Sequence, residues 1–381
     1  MQEEITHIGT LSFYVHIPYC IKRCGYCDFN TYTPSELQDG ATLEIVSGDY
    51  IDAVLKELEF APTDQVPTIF FGGGTPSLIP PHDLGRVITA IKARNGITED
   101  CEITLEANPD SVTAEKLEGY IAAGFNRISF GMQSTSTHVL KVLDRTHDPE
   151  NVKRAVDMAR AAGFQSVSVD LIYGTPGESL KDWQSTVTQA LNLGVDHISA
   201  YALIIEEGTK LAAQIKRGDV ASPDDDLMAD MYLYIDQACG FKGLKWYELS
   251  NWAKPGHECR HNIAYWKSAN WWGLGPGAHS HVDRKRFWNV KHPTAYKQRL
   301  FDGLSPIADS EELTDEQRKS EYIMLASRLR TGISKRALSV AQYERMAEYI
   351  KADQIIDAPD TLVLTATGRL IADRIVADLL A

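Results

Sequence analysis

Cys20, Cys24 and Cys27 fall in the run His16-Ile-Pro-Tyr-Cys-Ile-Lys-Arg-Cys-Gly-Tyr-Cys-Asp-Phe29, a C-x3-C-x2-C spacing with no fourth cysteine nearby. Four thiolates would close a structural zinc or iron–sulfur site. Three on one short loop can hold three irons of a cubic [4Fe–4S] cluster and leave the fourth iron open to a substrate or cofactor, as catalytic metals keep a free position. A zinc site completed by His16 is the competing reading of the same residues. Farther along, Gly72-Gly-Gly-Thr-Pro76 places Gly73, Gly74 and Thr75 after a strand. Glycines let a backbone approach a ligand and leave its N–H and C=O groups free, although a tight strand–helix turn explains the run equally well. Glu106, ahead of Ala-Asn-Pro109, can accept hydrogen bonds from ribose hydroxyls or an ammonium, and Gln133 offers donors and an acceptor. Arg145 can pair bidentately with a carboxylate, and Asp170 sits in an apolar run. Taken singly, each of these four is more often structural than functional: a buried Asp is often a cap, and an Arg is often a surface ion pair.

Their common position is what argues for a site. Leu11–His16, Thr68–Phe71, Ile103–Glu106, Arg127–Met132, Ser166–Ile172 and His197–Ile205 read as strands. Helical patterns cover Tyr50–Phe60, Ala114–Ala123, Asn151–Ala162 and Lys181–Leu193. Strands alternating with helices predict parallel βαβ units, and right-handed crossovers curl six of them into a partial TIM-like (β/α)6 barrel. The cysteine loop, the glycine run, Glu106, Gln133 and Asp170 all fall at or near C-terminal strand ends, the face on which barrel sites are built.

The pattern changes near residue 208. A helix over Leu227–Cys239 is followed by an aromatic-rich stretch from Trp246 to Trp288 that holds all but one of the seven tryptophans. Pro306–Asp309 reads as a linker, Glu312–Leu329 and Ala341–Ile350 as helices, Thr361–Leu364 as a strand and Ala366–Leu380 as a last helix. The expected fold class is therefore α/β: a barrel over 1–208, an extension over 209–305 packing on it, and a small C-terminal α+β winged-helix-like domain over 306–381. That last piece has no basic recognition run, so a lid or docking role suits it better than DNA readout.

Composition narrows the function classes. The formal net charge of −14 argues against a nucleic-acid partner, which needs a basic surface. No apolar run approaches membrane-spanning length, and Met1-Gln-Glu-Glu-Ile-Thr is neither a secretory signal nor an Arg-rich transit peptide. A cytoplasmic location follows as an expectation. Six cysteines in 381 residues, three of them in one loop, make no disulfide framework. Cys101 and Cys239 read as buried apolar fillers.

With Tyr26 before its third cysteine, the loop is a CxxxCxYC run, which resembles the signature of the radical S-adenosylmethionine (SAM) enzymes. The resemblance extends along nearly the whole chain. Tyr14-Val-His-Ile-Pro-Tyr-Cys20, Phe71-Gly-Gly-Gly-Thr-Pro76, Leu105-Glu-Ala-Asn-Pro109, Phe130-Gly-Met-Gln-Ser134, Asp170-Leu-Ile-Tyr-Gly174 and Gly273-Leu-Gly-Pro-Gly-Ala-His-Ser280 are similar to segments of the oxygen-independent coproporphyrinogen III oxidase-like family. The resemblance implies a [4Fe–4S] cluster on Cys20, Cys24 and Cys27, with SAM against Tyr14, Phe29, Gly73, Gly74, Thr75, Glu106, Gln133, Arg145, Asp170 and Ala202. It leaves Cys101, Cys239 and Cys259 outside the cluster.

Two features divide the family's branches. The oxidase branch has a fourth cysteine two places after the third and a longer N-terminal segment. Here Phe29 stands at that place and 19 residues precede Cys20. The other branch has this phenylalanine and a later HNxxYW motif, present here as His261-Asn-Ile-Ala-Tyr-Trp266. The resemblance therefore implies a haem chaperone that binds haem as cargo and delivers it to haem-accepting proteins. A transient contact with membrane proteins and a homodimer are further expectations. The alternative within the family is oxidative decarboxylation of porphyrinogen propionates by a radical generated from SAM. A SAM-dependent RNA modifier is a third reading, disfavoured by the acidic charge.

Chemically, His261 could ligate haem iron, while Asn262, Tyr265 and Trp266 complete a haem-site candidate with flat apolar area. His257, Cys259 and His279 compete as ligands. The opposing reading is that His261 and Asn262 tie down a turn while Tyr265 and Trp266 pack on the barrel. No catalytic residue is assigned.

Overall fold

The computed structural model describes residues 10–145 and 148–381, so the acidic N-terminal reading and the Thr146-His147 pair after Arg145 lie outside the described residues. Six strands, β1 (Ser12–Ile17), β2 (Val66–Gly73), β3 (Ile97–Ala107), β4 (Arg127–Gln133), β5 (Ser166–Tyr173) and β6 (His197–Ala202), pair in that order, all in parallel. The helices between them include α1 (Tyr50–Leu58), α2 (Pro81–Asn95), α3 (Ala114–Ala123), α4 (Thr137–Val142), α5 (Pro149–Ala162) and α6 (Leu180–Asn192). The expected strand–helix repeats are present, with β3 starting earlier than expected and β6 ending at Ala202.

The strands carry a period-two alternation that decides what lies inside. In and around β1, Leu11, Phe13, Val15 and Ile17 are fully buried in the main hydrophobic core. Ser12, Tyr14 and His16 point to the opposite face. The same alternation gives Arg127, Ser129 and Gly131 in β4, Ser168 and Asp170 in β5, and His197, Ser199 and Tyr201 in β6. A packed TIM barrel fills its interior with branched apolar side chains. This one turns mostly polar residues inward, and they line a cavity of about 970 Å³.

The sheet continues past the six-strand core on both sides. β7 (Lys245–Glu248) and β8 (Asn251–Ala253) add antiparallel beyond β6. On the other edge β9 (Trp271–Leu274) pairs parallel with β1, followed by antiparallel β10 (His279–Val282), β11 (Lys285–Asn289) and β12 (Ile307–Glu312). The result is one open 12-stranded sheet running from β12 to β7. Pro306–Asp309 is thus not a free linker, because Ile307–Glu312 pairs with β11 and forms the last strand on that edge.

The extension adds α7 (Lys210–Arg217), α8 (Asp225–Phe241), α9 (Arg260–Trp266) and α10 (Pro293–Phe301). The C-terminal part has its own core around Ile323, Met346, Ile355, Leu362 and Leu379. It contains α11 (Asp315–Ala326), the antiparallel strands β13 (Ile333–Ser334), β14 (Ile355–Asp357) and β15 (Thr361–Leu364), and a last helix α12 (Ala372–Leu380). Two expected helices are each broken, at Met346 and at Ile371. α11 starts later than expected because a Thr314/Gln317 capping box fixes its first turn. Arg369 joins this part to the rest: its guanidinium bonds the Asp236 carboxylate of α8 and lies 4.2 Å from the centre of the Trp246 ring.

Candidate functional site

The cysteine loop leaves β1 at its C-terminal end and is pinned on three sides. Cys20 N–H donates to Tyr32 O (3.1 Å), and the Leu211 N–H at the start of α7 donates to Gly25 O (2.9 Å). Tyr26 packs beside Leu203, Ile205 and Leu211. On the third side Asn30 Nδ2 donates to Pro276 O and Lys291 O, both at 2.9 Å, tying the loop to the β9–β10 connection and to the residues after β11.

Why the adjoining run needs glycine is visible here. Gly74 N–H donates to Ile17 O (2.7 Å) and Thr75 N–H to Tyr19 O (2.9 Å), so pairing continues beyond the ends of β1 and β2. A Cβ on Gly74 would lie 2.5 Å from the Tyr19 carbonyl oxygen, and one on Gly73, at φ +105°, 2.5 Å from the His16 ring. The close approach is thus to the protein's own cysteine loop, and it brings Thr75 Oγ1 to 3.7 Å from Cys20 Sγ.

Cys20, Cys24 and Cys27 are free, half-buried and line the cavity. Among the described residues no three His, Cys, Asp or Glu side chains converge as ligands of a single ion. A cubic cluster does not ask for that, since each of the three thiolates would bind a different iron. His16 does not join them: Nε2 bonds Asn30 O (2.9 Å) and Nδ1 bonds the Tyr14 hydroxyl (3.0 Å). Burial raises the Cys20 thiol and pushes Cys27 up to about 11, so taking up iron would release protons from this loop.

The structure gathers the remaining sequence candidates around the same cavity. Arg145 Nη1 lies 3.5 Å from Cys24 Sγ and Nη2 donates to Gly131 O (3.2 Å), while its buried Nε has no partner. Gln133 follows a register shift at the end of β4 and takes a left-handed φ of 60°, costly for a non-glycine residue. A Cβ on Gly131 would strike both Arg145 Nη2 and Gln133 Nε2, so those two side chains lie over this glycine. Glu106 Oε2 accepts from Gly73 N–H (3.1 Å). Burial and then nearby Asp170 push its carboxyl up to about 8. Asp170 accepts from Ser129 Oγ (2.9 Å) and is itself raised by burial. Tyr14, Phe29 and Ala202 line the same space. A guanidinium with an unpartnered buried nitrogen beside three cysteines, across the cavity from two half-buried carboxyls, suits a cluster together with an amino acid-like ligand bearing both carboxylate and amine.

The HNxxYW segment forms α9, at the inner end of the cavity. Glu102 caps it across the barrel, accepting from Arg260 N–H (3.1 Å) and His261 N–H (3.0 Å). His261 is 2% exposed. Thr68 gives its hydroxyl proton to Ser12, so it accepts from His261 Nδ1 (2.8 Å), which leaves Nε2 to accept from Tyr265 (2.9 Å). The imidazole is stacked on Phe70, and burial pushes its pKa down to about 3. Asn262 donates to Glu248 (3.2 Å) and Trp266 lies under Arg328. Cys259 Sγ is buried 3.6 Å from Glu102, and Cys101 and Cys239 are buried apart from the loop.

Arg127, His197 and Asn251 also line the cavity and were not singled out from the sequence. For Arg127 and His197 the signal was available: polar residues at every second position of β4, β5 and β6.

A partial parallel barrel with three cysteines at its C-terminal mouth defines a radical SAM protein, and the model of the Radical SAM superfamily matches residues 14–190. The heme chaperone HemW of Mycobacterium tuberculosis (strain ATCC 25618 / H37Rv) is 45% identical over 373 residues, covering 96% of this chain and 94% of that protein. The heme chaperone HemW of Escherichia coli (strain K12) is 37% identical over 297 residues, covering 76% of each. The solved structure of coproporphyrinogen III oxidase (HemN) from Escherichia coli, a radical SAM enzyme, superposes with a TM-score of 0.82 over 99% of this chain and 92% of that one; at 22% identity the likeness is one of fold. The chain belongs to the radical SAM superfamily and, within it, to the HemW family. Membership implies a [4Fe–4S] cluster and SAM, whose chemistry when bound is reductive cleavage of the sulfonium, and the residues around the cavity suit both.

Proposed function

We propose that this protein is a haem chaperone that carries a [4Fe–4S] cluster and SAM and hands haem to haem-dependent proteins. The observation that carries the reading is the near-full-length likeness, at 45% identity, to a protein named heme chaperone HemW. Cys20, Cys24 and Cys27 hold the cluster in this reading. Arg145 takes the carboxylate of SAM, Glu106 and Gly73–Thr75 its amino end, and Gln133, Asp170, Ala202, Tyr14 and Phe29 surround the rest. Support comes from their convergence on one cavity and from Phe29 where the oxidase branch has a fourth cysteine. The oxidase reading has the fold in its favour and no sequence likeness of comparable strength. For the haem contact, the HNxxYW residues His261, Asn262, Tyr265 and Trp266 are read as a structural prop for the inner end of the cavity, since both His261 ring nitrogens are engaged within the protein.

In this reading the protein is cytoplasmic, which suits its free thiols, is a homodimer, touches membrane-bound haem acceptors transiently, and divides at 208/209 and 305/306 with a winged-helix-like C-terminal part. Among the described residues no helix is long and apolar enough to cross a membrane. The test is an anaerobic assay of the cluster-reconstituted protein with SAM and coproporphyrinogen III, run beside a haem titration. A stoichiometric Soret-absorbing complex without porphyrinogen turnover supports the chaperone. Turnover to protoporphyrinogen IX replaces it with the oxidase.

A further inference from the structure

Haem needs a flat apolar surface, cations for its propionates and an imidazole or thiolate lone pair facing outward. Of the 11 histidines, nine lie in the described residues, and most are committed. His16 and His261 have both ring nitrogens bonded. His197 bonds Tyr247, His257 bonds Ser166, His281 bonds Ala269 O and His292 accepts from Thr294 N–H. His82 and His138 stand beside carboxylates. Among the described residues His279 alone has neither ring nitrogen in a hydrogen bond or an ion pair, and it is exposed.

The surroundings of His279 fit the rest of the requirement. Its ring stacks on Trp288, its cross-strand neighbour, with centroids 5.6 Å apart and planes 25° from parallel. Strand register puts it on the cavity side of the sheet: Ser12 of β1 faces Trp271 of β9, which faces His281 of β10, and His279 lies two residues along on the same side. Trp271 Nε1 donates to His279 O (3.1 Å), and its ring contacts Tyr265 and His281, at 4.8 and 5.0 Å between ring centres, so a second half-buried indole lies beside this residue. Lys291 is exposed and close enough to act on His279. Burial first and this ammonium second hold the imidazole below its usual pKa, in the neutral form that can ligate. Three residues before His279, Pro276 O takes the bond from Asn30 that anchors the cysteine loop, so the face flanks the cluster site.

We propose that haem docks on this outer part of the β9–β11 face, with its iron ligated by His279, the edge of the Trp288 indole beneath its macrocycle and a propionate toward Lys291. The inference rests on the haem-chaperone reading and names where that cargo sits. The test is a titration of cluster-reconstituted, full-length protein with ferric haem, following the Soret band. His279→Ala should weaken binding at least tenfold and move the Soret maximum, with iron–sulfur absorbance and SAM affinity retained as evidence of an intact fold. His279→Gly should recover the wild-type band position when free imidazole is added. Trp288→Ala should weaken binding severalfold with the band unmoved, since the ligand remains. A His279→Ala protein that titrates like the wild type, in affinity and band position, overturns the proposal while leaving the chaperone reading standing. A wild-type protein that binds no haem defeats that reading itself.

Discussion

At the scale of single residues, the division among the cysteines gives the first prediction. Cys20, Cys24 and Cys27 share one loop at the mouth of the cavity, whereas Cys259 lines it apart from that loop, buried against Glu102. Replacing any of the first three by Ser should abolish the iron–sulfur absorbance after anaerobic reconstitution. Cys259→Ser should leave it in place, and its loss there would break the three-cysteine assignment. Arg145 carries the second prediction. Its unpartnered Nε marks capacity for a further charge-assisted bond, worth about 1.5–3 kcal/mol on general grounds. Arg145→Ala should therefore weaken SAM binding roughly tenfold or more, measured by calorimetry on the cluster-loaded protein. Unchanged affinity would take Arg145 out of the site.

At the scale of elements, the glycine run works by letting two loops touch. Gly74 sits where the β2 end meets the backbone of the cysteine loop, and a methyl group would overlap the Tyr19 carbonyl. Overpacking of this kind typically costs about 1–3 kcal/mol. Gly74→Ala should lower both the melting temperature and the iron retained per protein. Gly240→Ala, in α8 with open space around it, should lower neither. If Gly74→Ala held a full cluster, the contact between the two loops would not be what shapes the site. Glu102 plays a comparable part for α9: one carboxylate from β3 caps a helix that lies far away in sequence.

At the scale of the whole molecule, Glu57 joins α1 to the added sheet edge. Buried in the main core region, it accepts from Gly275 N–H (2.7 Å), from Asn289 Nδ2 (2.5 Å) and from the Tyr296 hydroxyl of α10. Burial pushes its carboxyl up to about 7, against the opposing pull of these three bonds. The folded protein therefore keeps a proton that the unfolded chain has lost once the pH passes the ordinary carboxylate value. Its contribution to stability is full below that value, falls as pH rises toward about 7, and levels off above. At 1.36 kcal/mol per pKa unit the loss amounts to about 3 kcal/mol. Denaturant midpoints should thus fall between pH 5 and 7.5, and Glu57→Gln should flatten that fall. An equal fall in both proteins would assign it to other groups.

Much of this molecule was legible in the chain because it is local. The three-cysteine loop, the six strand–helix repeats and the run of candidates at strand ends follow from spacing and period, which short stretches of sequence determine by themselves. The likeness to radical SAM proteins rested on the same contiguous motifs. Tertiary structure alone decided how far the sheet extends, because β9 pairs with β1 across more than 250 residues and Ile307–Glu312 becomes a strand only where β11 offers it an edge. It also decided which histidine is free. His261 and His279 differ little as letters in a sequence, but packing against Thr68, Tyr265 and Phe70 commits one inside the barrel, while a hairpin turns the other outward beside Trp288. Availability of a lone pair depends on what surrounds it in space, and that is set by contacts between residues distant along the chain.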